Sequence, residues 1–83
     1  MKTYDVHETV VNYKANLLTE IPHIFEANSH DEILSYYKAE YPHLVFSELY
    51  NSKLNMYCIF AADNRHHNRK EYIFSVMPLP LKN

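Results

Sequence analysis

The 83 residues contain no glycine. Average usage, about 7%, would supply about six. Glycine lets a backbone take positive φ cheaply and approach a phosphate closely. Phosphate-cradling loops, dinucleotide fingerprints and nucleophile elbows each need it at fixed offsets, so those enzyme classes are excluded. The chain must build its turns from other residues.

Eighty-three residues predict one domain, 1–83, with a modest core and little stability in reserve. A hydrophobic content of 47% against 22% charged residues is a globular balance rather than a disordered one. Eight tyrosines and four phenylalanines are a heavy aromatic load. Tyrosine suits small sheets and also wet interfaces. Cys58 is the single cysteine, which excludes an internal disulfide and favours a reducing compartment. Met-Lys-Thr-Tyr-Asp at the start lacks the apolar stretch of an export signal, and no apolar run approaches a membrane span. A cytoplasmic protein without a membrane partner is the expectation. Abundant Asn, Lys, Tyr and Ile with neither Gly nor Trp fits an AT-rich coding source, such as a phage or mobile element.

The clearest element is a helix over residues 30–40. Ser29 followed by Glu32 has the spacing of a capping box, in which each side chain satisfies an orphan N–H. Asp31 and Glu32 suit the positive end of the helix dipole. Ile33, Leu34, Tyr37 and Tyr41 give one apolar face, and Pro42 ends the helix because it displaces its predecessor from helical backbone.

Strand patterns follow. His43–Tyr50 is rich in β formers, with Leu44, Phe46 and Tyr50 on one parity. Asn51-Ser52-Lys53 reads as a turn in which asparagine replaces glycine at a left-handed position. Leu54–Ala62 is apolar on both parities, the pattern of a strand covered on both faces. After a polar loop, Glu71–Met77 is the last strand, stopped by Pro78 and Pro80, and residues 78–83 form an extended tail.

The first third is ambiguous. Val6, Val10, Tyr13, Leu17 and Ile21 recur at helical spacing, yet the same region is crowded with β formers. One or two strands are favoured there, with Pro22 on an edge strand or at a helix end. The expected fold class is α+β: a small antiparallel sheet of three to five strands with one main helix packed on one face.

Six histidines lack zinc-ligand spacing and read as solvated surface groups, with no metal or cofactor expected. Together they would swing the net charge from −2 toward about +4 near pH 5. The basic run Arg65-His66-His67-Asn68-Arg69-Lys70 is a candidate nucleic-acid contact, with Tyr57 and Tyr72 as base-stacking groups if they face outward. The same run would also serve as a solvated hairpin tip. A small ribonuclease would draw acid, clamp and base from such histidines, arginines and tyrosines. The acidic balance opposes both readings, because it lacks the field that attracts a polyanion. Cys58 lies in the most apolar segment, where a thiol is an inert core group rather than a nucleophile.

Charge is unevenly spread. Residues 1–52 carry three lysines against eight carboxylates, whereas 53–83 carry five cations against two carboxylates. Carboxylates interleaved with tyrosines in the first half would steer and anchor a basic partner. The leading expectation is therefore a small non-enzymatic interaction protein, an inhibitor or regulator that binds another, basic, protein through Glu32, Tyr36, Glu40 and Tyr50. Weak nucleic-acid binding through residues 65–70 is the alternative. Exposed sheet edges and surplus aromatics also predict a homodimer.

Overall fold

The computed structural model describes residues 1–63 and 69–79. Its elements are β1 (Lys2–Asn12), β2 (Leu17–Ala27), α1 (His30–Glu40), β3 (Val45–Asn51), β4 (Met56–Ala62) and β5 (Lys70–Pro78). The strands form one five-stranded antiparallel sheet in the order β2-β1-β5-β4-β3. β3, β4 and β5 are the expected meander. The first third is two strands, and Pro22 lies on edge strand β2. Among the described residues, no helix is long and apolar enough to cross a membrane.

The helix lies on one face. Register places Val6, Glu8, Phe74, Val76, Tyr57 and Ile59 on that side, and all but Glu8 are buried there. Ile33 and Tyr37 complete the core from the helix, with Leu34 and Tyr41 partly buried against it. The Tyr37 ring stacks on Phe74 with centroids 3.9 Å apart. An eleven-residue helix is only about 16 Å long. The eleven-residue strands β1 and β2 run about 36 Å. The helix therefore covers less than half of their length, and the apolar tip of the β1–β2 hairpin, Leu17 and Leu18, stays exposed.

Among the described residues, no helix lies over the other sheet face. Met56, Cys58, Phe60 and Ala62 of β4 point there and are only half-buried. The double-sided apolar pattern of β4 thus overstated its covering, and Cys58 is a half-buried group on the open face rather than a core thiol.

Two turns solve the glycine problem in one way. Asn16 and Asn55 are the positive-φ residues among those described, at 52° and 48°. Each closes a matching segment, Asn12-Tyr-Lys-Ala-Asn16 and Asn51-Ser-Lys-Leu-Asn55. The first asparagine of each folds its side chain over the turn: Asn12 Oδ1 accepts from Ala15 N–H at 3.1 Å, and Asn51 Oδ1 accepts from Lys53 N–H at 3.1 Å. Asn51 is therefore the cap of its turn and Asn55 the left-handed residue. The turn extends to residue 55, which delays β4 to Met56.

The helix starts and stops where the sequence places it, but its cap differs in detail. Ser29 is the N-cap residue, yet its hydroxyl makes no capping bond. Glu32 instead accepts from the Asn28 backbone N–H at 2.7 Å and from the Asn28 side-chain amide at 3.0 Å. Its charged carboxylate clamps the chain one residue before the N-cap and makes the stronger bond. Phe74→Ala should cost about 3–5 kcal/mol, most of what a domain this small holds, whereas Ile59→Val should cost about 1 kcal/mol. Urea denaturation of the two variants checks that ranking.

Candidate interaction surfaces

β2 contains Glu20, Glu26 and His23 but neither Lys nor Arg. Glu32, Tyr36 and Glu40 recur every four residues and so form one stripe along the helix. The Tyr36 ring meets Phe25 of β2 edge-on, with centroids 5.1 Å apart, which sets this stripe beside β2. Lys38, the one lysine of the helix, borders Leu34, Phe46 and Glu48 on the other flank. Asp5 and Glu8 of β1 add carboxylates on the two faces of the sheet, one strand inward. The molecule thus has an acidic rim along β2 and the adjoining helix flank, bounded by Lys2 and Lys14 near the ends of β1. Ile21, Ile24 and Tyr36 stand exposed within it, at 45%, 65% and 46%.

Two histidines are built into this rim. His7 Nδ1 lies 2.9 Å from Glu20 Oε1, and its Nε2 lies 3.3 Å from Asp5 Oδ2. His23 Nε2 lies 3.2 Å from Glu8 Oε2. The same Glu8 oxygen accepts the Tyr37 hydroxyl at 2.8 Å. A third, His30, stacks on Tyr57 with centroids 4.8 Å apart and touches Tyr4 and Tyr50. These three are bound groups rather than the solvated ones expected from the sequence. Sequence spacing gave no warning, because every contact crosses from one element to another. Among the described residues no three His, Cys, Asp or Glu side chains converge as metal ligands.

Of the four predicted partner-binding residues, the structure brings three together. Tyr36 donates to Glu40 Oε1 at 3.4 Å, and Glu32 lies on their stripe while clamping Asn28. Tyr50 is on β3, the opposite edge strand, where its hydroxyl donates to Asn55 Oδ1 at 3.1 Å. Glu20 and Glu26 belong to the carboxylates of the first half that the sequence singles out, but that they share the helix-free face of β2 with Ile24 is set by strand pairing, which no local pattern encodes.

The basic run is partly outside the described residues, which include neither Arg65, His66 nor His67. Arg69 and Lys70, with Tyr13, Ala62, Asp63 and Glu71, line a hollow of about 330 Å³ at the start of β5. Tyr57 and Tyr72 do not face outward as base-stacking platforms. Tyr57 is buried under the helix and bonded to Glu48, and Tyr72 packs on Tyr41. Burial, and then bonds to Glu8 and Glu48, push the Tyr37 and Tyr57 phenols far above their ordinary range. Neither is suited to act as a base near neutrality. A second hollow, of about 350 Å³, opens on the helix-free face between Val45, Ser47, Phe60 and Ile73.

Hydrogen bonds to Glu20 and then Asp5 raise the His7 pKa above its ordinary 6.5. A raised folded-state pKa means that the protonated ring stabilises the fold. That contribution is complete below pH 6.5 and is lost as pH rises through the higher folded value. The melting temperature of the wild type should therefore lose a component as pH rises above 6.5 that His7→Gln lacks. Thermal unfolding of both proteins as pH is raised tests it.

Compared with known proteins, the chain matches no family model, no curated protein and no solved structure.

Proposed function

We propose that this chain is a small, non-enzymatic cytoplasmic interaction protein, an inhibitor or regulator that docks on a basic surface of another protein through its acidic rim. The observation that carries this reading is the stripe of Glu32, Tyr36 and Glu40 on the helix flank that adjoins edge strand β2, with Glu20, Ile24 and Glu26 of that strand on the sheet's other face. Carboxylates on a rim steer encounter and select against acidic competitors, while a packed aromatic supplies the binding energy. Tyr36 is suited to that part because Phe25 and Tyr37 fix its ring before a partner arrives, with centroids at 5.1 and 5.3 Å. Little side-chain freedom is left to lose. Pro22 withholds a backbone donor in mid-β2, so contact at this edge runs through side chains rather than through an added strand.

Affinity capture with this chain as bait, followed by titration of the recovered partner, tests the reading. Tyr36→Ala should weaken binding by about 2 kcal/mol, roughly thirtyfold in Kd. Glu20→Lys with Glu40→Lys should slow association and flatten its salt dependence, and Arg69→Ala with Lys70→Ala should change little. Capture that survives the rim substitutions, or that disappears on nuclease treatment and on Arg69→Ala with Lys70→Ala, would replace this reading with nucleic-acid contact through residues 65–70.

A further inference from the structure

The two sheet edges are not alike. β2 carries Pro22 in mid-strand and the carboxylates of the rim, devices that keep other strands away. β3, Val45-Phe-Ser-Glu-Leu-Tyr-Asn51, has no proline, lysine or arginine, and among the described residues it pairs on one side only, with β4. Its single charge, Glu48, is turned to the helix side and bonded to the Tyr57 hydroxyl. On the open face Val45 and Leu49 are 60% and 61% exposed, with Ser47 between them. They stand beside a hollow lined by Phe60 and Ile73 with Glu71 of β5, and β3 and β4 themselves place no charged side chain on that face.

We infer that β3 is a self-association edge: two copies pair their β3 strands antiparallel across a two-fold axis to make one continuous ten-stranded sheet. A second copy fits better than a foreign strand because β3 is complementary to itself in one register. With the axis at Ser47, Val45 of each copy lies opposite Leu49 of the other, which gives two apolar pairs on the open face. Glu48 then lies opposite Phe46 of the second copy. Centring on Glu48 would set two carboxylates face to face, which is destabilising. Centring on Leu49 would leave one apolar pair instead of two. The pairing spans five residues, roughly 17 Å, and buries less than the ~800 Å² per partner of a standard interface. Association in the micromolar range is the expected outcome. The acidic rim lies on the far edge of each copy and is untouched, so the dimer stands or falls independently of the partner proposed for that rim.

Sedimentation equilibrium over roughly 1 to 300 µM brackets the affinity of so small an interface. The wild type should pass from monomer to dimer across that range. Val45→Lys with Leu49→Lys, both at exposed positions, should weaken the dimer at least tenfold without changing the far-UV circular dichroism. Ile24→Lys on the other edge should leave it intact. Ser47→Cys in a Cys58→Ala background needs no disruptive change, and it should oxidise to a disulfide-linked dimer. Directly opposed residues of antiparallel strands have Cα atoms about 4.5–5.5 Å apart, within disulfide reach. A wild type that stays monomeric at every concentration would overturn the inference. So would a dimer that ignores the β3 lysines or is broken by Ile24→Lys.

Discussion

Tyr37 ties the helix to the sheet by two interactions of opposite character. Its ring stacks on Phe74 at the middle of β5, and its hydroxyl donates to the carboxylate of Glu8 on β1. The first is apolar contact in a dry core; the second is a charge-assisted bond at the edge of that core. A short helix over long strands has few other means of fixing its position along them. Register sets Glu8 directly opposite Phe74, so both attachments fall at one level of the sheet. Phe25 and Tyr36 pack around the same ring, and His23 shares the same carboxylate oxygen. Core and acidic rim are therefore one construction: the residue that seats the helix also sets the exposed tyrosine beside it.

The helix was legible in the sequence to its end residues because capping, periodicity and a terminating proline agreed. The first third was not, for a geometric reason. Val6, Val10, Leu17 and Ile21 are separated mostly by four, which is close to one helical turn and also a multiple of the strand period of two. In the structure they share the helix-facing side of a hairpin, so either period fits them. β-branched composition was the better guide. The turns were half legible, since the asparagine-for-glycine logic held but the left-handed residue was Asn55 rather than Asn51. A repeat of Asn-x-Lys-x-Asn in both turns was the signal that would have located it.

The site was less legible than the fold. Glu32, Tyr36 and Glu40 share a stripe because helical spacing is local information. Tyr50 instead meets the helix at His30, off that stripe, because its place is set by strand order, which no local pattern encodes. The placement of β2 beside the helix, with Phe25 turned to Tyr36 and Glu20 and Glu26 turned to the opposite face, is likewise a product of the antiparallel return of β1 and β2. The basic cluster shows the converse. Its charges are contiguous in sequence, yet the aromatic platforms paired with it, Tyr57 and Tyr72, face the helix instead.

The turn asparagines carry a consequence for the denatured chain. Every other described residue has an ordinary negative φ, so among the described residues the backbone asks for glycine only at Asn16 and Asn55. A chain that does without glycine has fewer conformations to surrender when it folds, by about 0.4–1 kcal/mol at each compatible position. Over the roughly six glycines of an average chain this length, that amounts to a few kcal/mol. For a sheet whose helix spans less than half of one face, part of the stability then resides in the restricted freedom of the unfolded polymer rather than in any contact of the folded one.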